Sequence, residues 1–163
     1  HLSVRAAFAG SYQALPDEAC RLFRRLGALR PACAAGWVAA ALLDRDADPF
    51  LECLVDARLL DVVPGRDRYE MHPLTRVYAR ERARAEEPPD ELRAALGRAL
   101  GGWLTLGPAL DAARPSTGDI ELHAATKWPA DDREALVAAA AQAAELGMTA
   151  LARDLADLAN GTG

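Results

Sequence analysis

Apolar side chains recur at helical spacing through most of this chain, and one stretch breaks the rule. Residues 4–15 form a moderately apolar helical pattern that stops at Pro16. Asp17 and Glu18 suit the first turn of a second helix, in which Ala19, Leu22, Phe23 and Leu26 fall on one face before Gly27 closes it. Residues 33–43 keep the same period through Trp37, Ala40 and Ala41, and Pro49 opens a further helix through Phe50, Leu51, Leu54 and Val55. Then the period changes. Leu59-Leu60-Asp61-Val62-Val63 is a short β-prone run, Pro64-Gly65-Arg66-Asp67 is turn chemistry, and Tyr69-Glu70-Met71 alternates. Helices followed by a β-hairpin predict a mainly α chain whose first part is a winged helix, a three-helix core with a hairpin wing.

Beyond the hairpin, helical spacing returns. Leu74, Val77 and Tyr78 predict one buried stripe on a helix reaching about residue 87. Glu86-Glu87-Pro88-Pro89-Asp90 reads as a boundary, because two prolines end one helix and can begin another. Leu92, Leu96, Leu100 and Trp103 continue a helix, and residues 114–129, rich in Gly, Pro, Ser and Thr, read as a long loop. Residues 130–145 and 149–159 form two helical patterns split by Leu146-Gly147, a helical hairpin of the kind that begins a repeat array. The expected organisation is a winged-helix domain over 1–87, a helical linker and loop over 88–129, and a repeat-type hairpin over 130–163.

Composition narrows the function classes. Hydrophobic residues make up 51% of the 163 residues but aromatics only 6%, so the core is built from Ala, Leu and Val. The net charge of −5 is not that of a dedicated nucleic-acid binder, and the acidic excess lies beyond residue 98. Cys20, Cys33 and Cys53 are widely spaced, without a CxxC pair, and read as reduced, packed thiols. No run of about 18 apolar residues exists to span a membrane. A cytoplasmic location is expected. The chain opens on His1, within a helical pattern, and reads as a fragment of a longer protein.

Candidate chemistry is sparse. No GxxxxGK[ST] loop cradles a triphosphate, and His1, His72 and His123 stand in no metal-ligand spacing, so neither catalysis nor a metal is expected. His72 is the exception of interest. It sits where a strand runs into a helix started by Pro73, and a helix N-terminus favours a phosphate or carboxylate. DNA binding is the competing expectation, through Arg58, Arg66 and Arg68 around the wing, and a plain protein–protein interaction scaffold in which His72 is inert is the third. The helix that would enter the groove carries Glu52 and Asp56, which weigh against DNA binding. Arg76, Arg80, Arg82 and Arg84 alternate with Glu81, Glu86 and Glu87, the pattern of an ion-paired solvent face.

Five separated blocks carry a family resemblance: Ser11 to Pro16, Cys20 to Gly27, Leu54 to Leu60, Tyr69 to His72, and Val77 to Arg82. In order and spacing they resemble the winged-helix segment of NB-ARC (STAND-class) signalling NTPases, most of all actinobacterial members such as the SARP-type regulatory proteins. The run from Asp132 to Ala139 is similar to the region where those proteins begin tetratricopeptide-like repeats. The resemblance implies a switch module that packs on an NTPase domain and further repeats, with His72 contacting the β-phosphate of ADP. It implies ADP or ATP in the longer protein and no cofactor held by this chain alone, with a protein partner favoured over DNA or a membrane. One departure stands out: Pro73 occupies the motif position where the family carries Asp.

Overall fold

A computed structural model describes residues 2–31, 33–64, 68–113 and 130–160. The expected loop over 114–129, with His123, and the wing tip with Arg66 lie outside these residues. Helix α1 (Leu2–Gln13) is followed by α2 (Asp17–Ala28), strand β1 (Cys33–Ala35), α3 (Gly36–Leu43) and α4 (Asp48–Asp56). Strands β2 (Asp61–Val62) and β3 (Arg68–Glu70) form the wing, and α5 (Pro73–Glu86) leads into α6 (Pro89–Ala113). Helices α7 (Ala130–Glu145) and α8 (Thr149–Ala159) complete the order. The chain is mainly helical, with one three-stranded antiparallel sheet in the order β1-β3-β2.

Strand β1 corrects the helix expected over 33–43. Cys33-Ala34-Ala35 has no alternation of its own and becomes a strand because Cys33 pairs with Glu70, Ala34 with Tyr69 and Ala35 with Arg68. Small apolar side chains carry little local preference, so a distant partner strand decides their state.

Helix α2 is the centre of the first compact unit, residues 1–99. Its Leu22 and Phe23 are fully buried, as are Val38 and Leu42 of α3 and Leu51 and Leu54 of α4. Phe8, Tyr12, Phe23 and Tyr78 cluster with ring centroids 5.6–6.2 Å apart and join α1, α2 and α5. Gly27 lets α2 and α5 meet backbone to backbone: a Cβ there would stand 2.3 Å from the Ala79 Cβ and 3.0 Å from its carbonyl carbon.

A buried polar network closes the same unit. The Glu87 carboxylate, with 1% of its side chain exposed, accepts from Arg24 Nε at 2.8 Å and Arg25 Nε at 3.3 Å. Arg25 Nη1 donates to the Leu42 carbonyl at 2.7 Å, and Arg98 of α6 donates to the Ala41 and Leu42 carbonyls. The Glu-Pro-Pro segment is thus a tethered turn within the first unit.

The second unit, residues 100–163, contains the α7–α8 hairpin with Leu136, Ala139, Ala143, Leu155 and Ala159 buried. Gly147, at φ 78°, ends α7: its N–H reaches Ala144 O and the Met148 N–H reaches Ala143 O, a Schellman turn.

Candidate functional site

His72 sits between β3 and α5 as the N-cap of α5, at φ −57° and ψ 143°. Its Nδ1 accepts the Leu74 N–H at 3.2 Å, so a neutral ring carries its proton on Nε2. The residue is exposed, and that Nε2–H is a donor offered outward. The helix end itself offers an anion less than its sequence suggests. Pro73 has no N–H, and the Leu74 N–H is already taken by the imidazole.

The faces of α5 also differ from the expected stripe. Thr75, Tyr78, Ala79 and Ala83 are its buried residues, whereas Leu74 is 56% exposed and Val77 52% exposed. Helix α2 crosses at Ala79 through Gly27, which turns the contact face away from Leu74 and Val77. Those two side chains, with Val4, Arg5, Phe8 and Tyr78, line an apolar groove of about 330 Å³ between α1 and α5.

The arginines of α5 divide by role. Arg82 faces Glu86 at 4.0 Å and lies over the Tyr78 ring, and Glu81 is held by Arg5. Arg76 and Arg80 form no ion pair among the described residues. Arg76 Nη2 donates to the Leu29 and Arg30 carbonyls, and Arg80 Nε donates to Gly27 O at 3.1 Å, so both cover the C-terminal end of α2. Burial lowers the Arg76 guanidinium to about 10, and the like charges of Arg80 and Arg30 push the same way. The expectation of an ion-paired face therefore holds for Arg82 and not for these two.

The surface that would read DNA is acidic. Asp48, Glu52 and Asp56 are the exposed charges of α4, and Glu52, Val55, Asp56, Val62 and Tyr69 line a groove of about 220 Å³ beside the wing. Asp61 lies directly opposite Glu70 across the wing ladder. Arg68 belongs to β3, opposite Ala35, and is half-buried. Arg58 is exposed at φ 60°, the left-handed position after α4. Its N–H reaches Val55 O and the Leu59 N–H reaches Leu54 O, both at 3.0 Å, the same turn that Gly147 makes after α7. Among the described residues no three His, Cys, Asp or Glu side chains gather as metal ligands, and no helix is long and apolar enough to cross a membrane.

Three helices, a β1 strand paired with the wing, and flanking helices α1 and α5 define a winged-helix fold. The chain is similar to Regulatory protein AfsR of Streptomyces griseus, at 36% identity over an alignment of 174 residues covering 94% of this chain. It is also similar to Regulatory protein AfsR of Streptomyces coelicolor, at 35% identity over 136 residues covering 78% of this chain. It spans only 18% and 14% of those proteins, so it is homologous to a segment of each. No protein-family profile and no solved structure matches it.

Position by position, His72 caps α5, Arg58 follows the C-cap of α4, and Arg68 lies within the sheet. Sequence reasoning missed Arg76 and Arg80 as a pair. Their signal was available: His72, Arg76 and Arg80 recur every four residues, one turn apart along α5.

Proposed function

We propose that this chain is a non-catalytic regulatory module of a larger cytoplasmic transcription regulator. It docks on a nucleotide-binding domain elsewhere in that protein, and His72 senses the bound ADP. The observation that carries the reading is the α1–α5 groove: two large apolar side chains, each more than half exposed, within one or two turns of an outward-pointing imidazole. Apolar surface beside a single directed donor suits a domain interface closing over an anionic ligand. His72 can give one Nε2–H to a terminal phosphate oxygen, while the first turn of α5 adds little beyond it.

The test is ADP retention by the longer protein, purified unchanged and with His72→Asp. Aspartate keeps the helix cap but presents a negative charge to the phosphate. Loss of ADP from a variant of unchanged thermal stability is the expected result. Equal ADP in both proteins would remove His72 from the site.

A second reading, DNA binding, is favoured by one observation: Arg58 occupies a left-handed position that glycine fills more comfortably. It requires duplex affinity that falls steeply with salt and weakens in Arg58→Gly. The acidic α4 face is the argument against it.

A further inference from the structure

The C-terminal end of α2 collects positive charge beyond what capping a helix requires. A helix C-terminus carries roughly half a negative charge. Arg80 bonds the Gly27 carbonyl in its last turn, Arg76 bonds the Leu29 and Arg30 carbonyls just past its end, and the charge of Arg30 lies close enough to Arg76 to depress its basicity. Neither Arg76 nor Arg80 has a carboxylate partner among the described residues, although α5 carries glutamates that pair with Arg5 and Arg82 instead. Arg76 Nε is also buried without a hydrogen-bond partner. Like charges held together around a partly buried donor are locally unfavourable, and such conflicts mark sites at which a ligand completes the interaction.

We propose that Arg76 and Arg80 form a binding site for a phosphate group at the C-terminal end of α2. Two observations define the ligand. The groups are arginines, whose planar forks match phosphate oxygens with paired hydrogen bonds. Arg76 spends Nη2 on carbonyls and Arg80 spends Nε, leaving Arg76 Nη1 and both terminal nitrogens of Arg80 as donors. The free donors of Arg76 and Arg80 lie beside the exposed Leu74 and Val77, and the exposed Arg84 follows one turn further along α5. A compact diphosphate-type anion matches the few donors that Arg76 and Arg80 leave free, and binding to duplex DNA in its place is an outcome of the test. This site is independent of the docking role of His72 and is tested without the rest of the longer protein.

The experiment is calorimetric titration of the 163-residue chain with inorganic pyrophosphate at low ionic strength. Arg80→Gln, Arg76→Lys, Arg58→Gln and His72→Ala are run in parallel, with circular dichroism confirming each fold. Arg80 is exposed, so its replacement leaves the core intact. Expected are saturable binding, a roughly tenfold or greater weakening in Arg80→Gln and Arg76→Lys, and no change in Arg58→Gln. Four results overturn the proposal, the first three being no binding at millimolar pyrophosphate, equal weakening in Arg80→Gln and Arg58→Gln, and affinity for duplex DNA without affinity for pyrophosphate. Loss of binding in His72→Ala alone would assign the phosphate to the cap of α5 and overturn it as well.

Discussion

Gly27→Ala is the most informative single substitution, because it tests the contact that orients α5 and everything on it. A Cβ at position 27 would lie 2.3 Å from the Ala79 Cβ, 3.0 Å from the Ala79 carbonyl carbon and 3.1 Å from the Arg80 nitrogen. Carbon atoms pack comfortably at about 3.5–4.0 Å, so α2 and α5 must part by more than an ångström. Two of the three clashes are with backbone, which no rotamer change relieves. Overpacking of a tight core costs about 1–3 kcal/mol, and this site belongs at the upper end of that range. Replacing Gly by Ala in a helix returns at most about 1 kcal/mol. The net expectation is a destabilisation of about 2 kcal/mol, which lowers the urea midpoint by roughly 1 M. Urea unfolding followed by circular dichroism reads the loss, and hydrogen exchange locates it in α2 and α5. Adding Ala79→Gly removes the shortest clash and leaves the two backbone contacts, so it restores part of the loss and not all of it. Gly27→Ala at or above the stability of the unchanged chain would refute the backbone-to-backbone crossing.

Glu87→Ala leaves Arg25 buried without its carboxylate and is expected to cost about 3–5 kcal/mol in a chemical-denaturation series. A loss under about 1 kcal/mol would mean that the network is solvated in solution. Arg58→Gly relieves a left-handed backbone and should stabilise the chain by about 0.5–1 kcal/mol, read as a higher urea midpoint. A decrease would show that the arginine side chain stabilises the fold by more than its backbone costs. Tyr12 is raised to about 12, first by burial and then by donating to Glu86. A folded-state value above the unfolded one gives stability that is complete below about pH 10 and lost as pH climbs toward 12. Alkaline unfolding over that window should therefore be shallower in Tyr12→Phe, and identical slopes would exclude Tyr12 as its source.

The elements legible in the sequence were those whose stability is local. Asp17-Glu18 followed by Leu22, Phe23 and Leu26 needs no distant partner to be read as a helix buried on one side, and α2 has these boundaries and this face. Gly147 announces its turn for the same reason. What stayed hidden was set by contacts between distant segments. Ala34 and Ala35 become a strand only because β3 passes beside them. Leu74 and Val77 have the spacing of a core stripe, yet Gly27 admits Ala79 so closely that α5 is rotated and both side chains face outward. The same rotation carries Arg76 and Arg80 over the end of α2, where they bond carbonyls and not the glutamates that their spacing suggested. One glycine thus determines both the exposed apolar groove and the arginine cluster. A variant that separates α2 from α5 should weaken docking and pyrophosphate binding together, whereas Arg80→Gln should weaken only the second. If Gly27→Ala, folded and measured below its unfolding midpoint, binds pyrophosphate as the unchanged chain does, the crossing does not assemble the cluster, and the two surfaces are independent features of α5.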